Sequence, residues 1–189
     1  MDADERFGGE ELRLRCLTDS AGILRRGDRE RVGKQFPQVF VAVYTGSLGE
    51  VANMRQFGFW LLNRSAFEDV PVEKPNEAGI LLTIDPESKA AGIVFGYLLD
   101  PFLEESDTFE CLSRAHAYWL EERYADGIIR ALAHLEGILR KRSRHARKDP
   151  EHFHRKVMPA AMMGDLVRRI RSGHRSASTS ETENAEVSP

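Results

Sequence analysis

The sequence predicts an α/β protein, a three-layer α/β/α sandwich around a small mixed sheet that contains one β-hairpin. Residues 39–44 are apolar and β-branched on both faces, which is typical of a central strand covered by helices. Residues 79–84 form a second such run, followed by turn chemistry at 85–88 and a third run at 89–97, which together predict the hairpin. Segments of helical periodicity lie before and after these strands.

Helical periodicity predicts helices at residues 25–36, 50–63, 104–122 and about 128–139. The last three each place apolar side chains on one stripe: Val51, Met54, Phe57, Leu61 and Leu62; then Phe109, Leu112, His116, Trp119 and Leu120; then Ile128, Leu132, Leu135 and Leu139. His116 is therefore interpreted as a core or boundary histidine in preference to a catalytic one. Residues 12–17 alternate and predict a short edge strand, whereas 17–24 are expected to be a turn and 64–76 a loop.

The order of these elements also predicts the sheet topology. A strand–helix–strand crossover within one sheet runs parallel and right-handed. The strands at 39–44 and 79–84 should therefore be parallel, and the returning strand of the hairpin antiparallel beside the second. Helices on both faces complete the sandwich.

Charge divides the chain into an acidic body and a basic extension. Residues 1–140 contain 16 Lys and Arg against 24 Asp and Glu, whereas residues 141–175 contain 11 against 3. The predicted organisation is a flexible lead-in at 1–11, an α/β domain at 12–140, a basic and partly helical extension at 141–175, and a disordered tail at 176–189. A further helix is expected within 151–171.

Several classes of protein are not favoured. No secretion signal is visible in residues 1–10, and no run approaches the ~20 apolar residues of a membrane span, so a cytoplasmic location is expected. The Walker loop and the dinucleotide glycine fingerprint are absent, so no nucleotide cofactor is expected. Cys16 and Cys111 are expected to be free, buried thiols.

The basic extension gives no strong nucleic-acid signal, because it lacks interleaved aromatic residues apart from Phe153. A solvated or self-docking helix is favoured, with contact to an anionic surface, RNA or a protein partner left open. His145, His152 and His154 within it are interpreted as solvated residues in preference to metal ligands.

The predicted topology gathers oxygen-bearing side chains at the two edges of the sheet. One edge should hold Asp19, Ser47, Asp85 and Asp126, and the other Asn76, Glu77, Tyr97 and Asp100. Such clusters suit Ca²⁺ or Mg²⁺. The alternative is that they are helix caps and turn formers. The candidate metal ligands are Asp19, Asp85, Asp126, Asn76 and Asp100. Residues 46–49 are a tight turn or, alternatively, an anion cradle at a helix start.

Several segments, taken in order, resemble the TPM-domain family. They are residues 18–24 (Thr-Asp-Ser-Ala-Gly-Ile-Leu), the strand at 39–44, residues 76–82 (Asn-Glu-Ala-Gly-Ile-Leu-Leu), residues 96–100 (Gly-Tyr-Leu-Leu-Asp) and residues 124–127 (Tyr-Ala-Asp-Gly). The resemblance covers about 17–139. It implies a mixed sheet between helices, and it implies divalent-cation binding or acid phosphatase activity; some members are linked to photosystem II repair in plants.

The chain departs from the family pattern at three positions. Leu98 stands where the family usually has glycine, Asp100 where it has glutamate, and Arg123 where an acidic residue is common. Two functional hypotheses therefore stay open. The first is a binding or accessory module that takes a divalent cation or a partner. The second is a metal-assisted acid phosphatase acting on phosphomonoesters, in which the cation activates water.

Overall fold

The computed structural model describes residues 12–33, 40–47, 53–70 and 75–151. The chain divides into two units, Met1–Ser143 and Arg144–Pro189, and the fold below is that of the first. Several predictions lie outside the described residues: the lead-in at 1–11, Leu48 and Gly49 of the possible anion cradle, the helix within 151–171 beyond its first residue, His152, His154 and the tail.

Within the part of the chain that the structure describes, the main sheet contains four strands in the order β2 (Leu17–Asp19), β3 (Phe40–Thr45), β5 (Gly79–Asp85) and β6 (Ala90–Phe95). The first three are parallel, and β6 runs antiparallel to β5 as the second arm of the hairpin. The predicted relationship of the three long strands is confirmed. Two further strands, β1 (Leu12–Leu14) and β4 (Ser65–Phe67), pair in parallel as a separate small sheet.

Among the described residues, four helices accompany the strands: α1 (Arg26–Gly33), α2 (Met54–Arg64), α3 (Glu105–Leu120) and α4 (Tyr124–Lys148). Asn53 caps α2, because its side-chain oxygen accepts hydrogen bonds from the amides of Arg55 and Gln56. A capping box between Glu104 and Asp107 begins α3. None of the described helices is long and apolar enough to cross a membrane.

Two apolar cores lie on opposite faces of the main sheet. On β5, Ile80, Leu82 and Ile84 belong to the core that includes Val32 of α1 and the buried stripe of α4, whereas Leu81 belongs to the core beneath α2. Successive side chains of a strand point to opposite faces, so one strand serves both cores. The α/β/α sandwich predicted from the sequence is confirmed. The stripe predicted for α4 is also confirmed: Ile128, Leu132, Leu135 and Leu139 are buried.

Two short strands correct the predictions of a turn at 17–24 and a loop at 64–76. Leu17–Asp19 pairs with Val43–Thr45, and Ser65–Phe67 pairs with Leu12–Leu14. Three residues are too few to show a period of two, so it is pairing with a distant segment that makes these residues strands.

The buried face of α3 also differs from the prediction. Its buried residues are Asp107, Thr108, Cys111 and Ala115, whereas Phe109 and Leu120 are 72% and 55% exposed. His116 is exposed, so its interpretation as a core or boundary residue is wrong. The rule that apolar side chains face inward fails here because the inner face uses small residues and an aspartate that is paired with the half-buried Arg142.

The two thiols are free but differently placed. Cys111 is fully buried in α3, and Cys16 is half-buried beside β2. Burial, reinforced by the nearby carboxylates of Asp107 and Glu110, raises the pKa of the Cys111 thiol to about 12.

Candidate functional site

The carboxyl ends of the parallel strands meet at one edge of the sheet. The register aligns Asp19 of β2 with Thr45 of β3, and Thr45 with Ile84 of β5, so Asp85 is the next residue along this edge. Ligands of open α/β sheets bind outside this end of the strands. The sequence-based placement of Asp19 and Asp85 at a common edge is therefore seen in the structure.

The Asp19 side chain is only 2% exposed and accepts four hydrogen bonds from its own chain. The donors are the amides of Ile23 and Leu24 (both 3.1 Å), the hydroxyl of Thr45 (2.5 Å) and Nη2 of Arg29 (3.0 Å). Burial acts to raise the pKa of this carboxyl, but the hydrogen bonds outweigh it and the net pKa is lowered. Asp19 thus closes the loop between β2 and α1.

Asp85 is also buried and organises the hairpin turn. Its Oδ1 accepts hydrogen bonds from the amides of Glu87 (2.9 Å) and Ser88 (3.3 Å), and its Oδ2 accepts one from the Ser88 hydroxyl (2.8 Å). These are the contacts of a turn-forming aspartate.

Asp126, in the first turn of α4, lies between two arginines from different elements. Nη2 of Arg31 in α1 donates to Oδ1 at 2.8 Å, and Nε of Arg123 donates to Oδ2 at 3.1 Å. Nη2 of Arg123 lies 3.0 Å from the same Oδ2 as an ion-pair contact. The hydrogen bonds from Arg31 and then Arg123 lower the pKa of the Asp126 carboxyl. Nη1 of Arg31 also donates to Oδ1 of Asp28 at 3.2 Å, and both of these residues belong to α1.

Asp126 and the two arginines that contact it border a polar cleft of about 440 Å³. Three arginines line it, Arg25, Arg31 and Arg123, and we call it the arginine cleft. Its acidic side chains are Asp28, Glu122 and Asp126. Arg25 is exposed, and no ion pair joins it to another of the described residues. The cleft therefore offers one cation beside two that are already engaged by a carboxylate.

At the opposite edge, the start and the exit of the hairpin lie against each other. A Cβ added to Gly96 would be 2.1 Å from the carbonyl oxygen of Glu77, and the Gly96 amide donates to Gly79 O at 2.9 Å. Only glycine permits so close an approach of two backbones. The Asn76 side chain donates to the carbonyl of Ser65 at 2.8 Å.

Asp100 closes the short 3₁₀ turn Tyr97–Leu99 through its amide, which donates to Tyr97 O at 3.2 Å, and it is exposed. The structure thus brings together the predicted hairpin flanks.

Across residues 12–33, 40–47, 53–70 and 75–151, there is no group of three or more His, Cys, Asp or Glu that could hold a metal ion.

The sequence interpretation assigned no role to the arginines of α1. The sequence signal for Arg31 and Arg123 is the spacing Asp28–Arg31 and Arg123–Asp126, in each of which opposite charges stand three residues apart. The bond between Arg31 and Asp126 joins residues 95 positions apart, so only the folded chain reveals it.

No protein-family model matches the chain, and no curated protein sequence is significantly similar to it. Its fold is similar to the solution NMR structure of the N-terminal domain of a protein from P. gingivalis, with a TM-score of 0.53 and 16% sequence identity. The match covers 73% of this chain and 87% of that one. At this identity the similarity shows an α/β fold in common.

Proposed function

We propose that this chain is a TPM-like binding and accessory module whose ligand site is the arginine cleft, and that the ligand is an oxyanion such as a phosphate or carboxylate group. The supporting observation is the position of the Asp126 carboxylate between Arg31 and Arg123. Planar guanidinium groups match carboxylate and phosphate oxygens, so an internal carboxylate here occupies the place of a ligand.

The surroundings of Asp126 favour an anion over a cation. Two guanidinium groups within 3.1 Å of its oxygens repel a divalent ion. Arg123, moreover, stands where the resemblance to the TPM family leads one to expect an acidic residue. This departure from the family pattern therefore replaces a negative side chain with a positive one at the proposed site.

The hydrogen bonds of Asp19 and Asp85 argue against metal-assisted catalysis and so favour a binding role. Asp85 is buried and the side chain of Asp19 is 2% exposed, and each already accepts hydrogen bonds from the turn that it stabilises. Releasing either oxygen pair to a metal would leave amide donors unsatisfied, at about 1–3 kcal/mol each.

The second candidate is a metal-assisted phosphatase acting on phosphomonoesters, and the three arginines are the observation in its favour. Positive charge aimed at a phosphoryl group stabilises its transition state. That reaction also needs a cation, Ca²⁺ or Mg²⁺, to activate water.

The same proposal extends to the surroundings of the protein. The module is expected to act in the cytoplasm with a protein partner. The basic residues of the extension at 141–175 provide contact with an anionic surface, because clustered Lys and Arg are attracted to anionic lipid headgroups.

Titration of the full chain with inorganic phosphate and pyrophosphate, followed by NMR and calorimetry, tests the oxyanion site. Arg25→Ala should weaken binding about fivefold, the equivalent of ~1 kcal/mol for an exposed charge pair. Asp126→Asn should strengthen it, because Arg31 and Arg123 lose their internal anion. Arg114→Ala is the matched control, since Arg114 pairs with Glu110 on α3 and does not line the cleft.

Other results would decide against the proposal. Phosphate binding that is unchanged in Arg25→Ala would place the anion elsewhere. Thermal stabilisation by Ca²⁺ or Mg²⁺ that Asp126→Asn abolishes would establish a cation site instead. Turnover of p-nitrophenyl phosphate that depends on added Mg²⁺ would establish the phosphatase.

A further inference from the structure

Strand β6 lies at the end of the main sheet. Among the described residues it pairs on one side only, with β5. It borders a groove of about 350 Å³, lined by residues 91–95 of β6, by residues 53–59 at and after the start of α2, and by residues 105–112 of α3. We call this the β6 groove. An edge strand presents a row of backbone N–H and C=O groups that another strand can satisfy.

Both walls of the β6 groove expose a phenylalanine. Phe59 of α2 is 37% exposed, and Phe109 of α3 is 72% exposed. Met54 adds to the α2 wall and Leu112 to the α3 wall. Exposed apolar side chains that converge from two elements on one groove mark an interaction site more often than a single exposed residue does.

The two walls carry opposite charges. Arg55 on the α2 wall and Glu105 on the α3 wall are 51% and 70% exposed and form an ion pair with each other. The guanidinium of Arg55 also lies 5.5 Å from the ring centre of Phe59. An ion pair this exposed contributes at most ~1 kcal/mol, so an incoming ligand with complementary charges can replace it.

We propose that the β6 groove is the docking site for an extended segment of a partner protein, which pairs with β6 as a fifth strand of the main sheet. Successive side chains of such a strand point to opposite faces, so one set meets the α2 wall and the other the α3 wall. The strand β6 itself follows this rule: Val94 packs in the core beneath α2, and Ile93 packs in the core on the other face.

The walls define the chemistry of the segment. Both sets of side chains are apolar where they meet Phe59 and Phe109. The set on the α2 side includes an acidic residue opposite Arg55, and the set on the α3 side includes a basic residue opposite Glu105.

A second copy of this chain fits the groove less well. Antiparallel pairing of two β6 strands requires a two-fold axis perpendicular to the sheet, which keeps both α2 walls on one face. Each Arg55 wall then adjoins another Arg55 wall, and the charge complementarity is lost. An extended heterologous segment has no such restriction.

Selection of ten-residue peptides from a displayed random library on the immobilised full chain tests the proposal. The selected peptides should alternate apolar residues, with an acidic residue in one set and a basic residue in the other. Bound peptide should slow hydrogen exchange of the amides of Ala90–Phe95. Peptides without this alternation, or protection confined to other strands, would overturn the proposal.

Variants give the second readout. Phe109→Ser should weaken peptide binding about tenfold, whereas Leu120→Ser, an equally simple change on α3 outside the groove, should leave it unchanged. The double change Arg55→Glu and Glu105→Arg keeps an ion pair across the groove and should invert the charges of the selected peptides. Equal losses in both serine variants, or a dimer that Phe109→Ser dissociates, would contradict docking of a heterologous strand.

Discussion

The guanidinium of Arg142 holds the buried carboxylate of Asp107 with two hydrogen bonds, Nη1 to Oδ2 at 2.5 Å and Nη2 to Oδ1 at 2.8 Å. The same Nη1 also donates to the carbonyl of Phe102 at 3.0 Å. Asp107 in turn accepts the amide of Glu104 and so begins α3. A residue that the sequence places two positions inside the basic extension therefore secures the first turn of α3 in the domain.

We expect Arg142→Ala to lower the free energy of unfolding by ~3 kcal/mol, because it leaves the Asp107 carboxylate buried without its partner. Truncation gives a matched pair. A chain that ends at Ser143 should retain the stability of the full chain, whereas one that ends at Leu139 should lose about as much as Arg142→Ala. Urea denaturation of the three proteins measures this. Equal stability of the two truncated chains would contradict the importance of the pair.

A second prediction concerns Gly127, in the first turn of α4. A Cβ at this position would lie 2.2 Å from Nε1 of Trp119, so the indole ring leaves room for glycine alone. We expect Gly127→Ala to destabilise the protein by ~1–3 kcal/mol through overpacking. Gly137 in the same helix has nothing within 4 Å of its Cβ position. There, Gly→Ala should instead stabilise by up to ~1 kcal/mol, and thermal unfolding of both variants tests the difference in sign.

A third prediction concerns Glu122, which follows α3 with a left-handed φ of 58°. Glu122→Gly should raise the free energy of unfolding by about 1 kcal/mol, because glycine adopts this conformation without the Cβ clash. The neighbouring Glu121 has a φ of −90°, so Glu121→Gly should destabilise slightly. Equilibrium denaturation measures the free energy of unfolding of the two variants. A change in the same direction for both would disprove the assignment of strain to Glu122.

A fourth prediction concerns pH and Asp19. Its pKa is lowered in the folded protein, so its contribution to stability is present above the unfolded value of about 3.9 and is lost as the pH falls through the folded pKa. Asp19→Asn should destabilise by ~2 kcal/mol at pH 7, and the difference from wild type should narrow below pH 4. Asp100→Asn, at an exposed position on the opposite edge, is the control variant. A difference for Asp19→Asn that stays constant down to pH 3 would be inconsistent with this role.

The long elements could be predicted from the sequence, and the short ones could not. Residues 40–45, 79–85 and the stripe of α4 have enough positions for periodicity to distinguish strand from helix. The three-residue strands β2 and β4 exist because distant strands supply their partners. The same reason limits the site: Asp19 and Asp85 can be placed at one edge from topology, but the arginine that meets Asp126 belongs to a helix 95 residues earlier.

Because Cys111 is buried, the rate at which its thiol is modified measures how often α3 opens. With a pKa raised to about 12, almost none of it is the reactive thiolate at pH 8, and its sulfur is shielded from reagents. In a Cys16→Ser variant, a disulfide reagent should modify the protein only as fast as the core opens, and mild urea should accelerate the reaction. Rapid modification in native buffer would show that α3 separates from the sheet far more often than its packing implies. The time course of this reaction, followed by the absorbance of the released thiol, would thus report the lifetime of the closed fold.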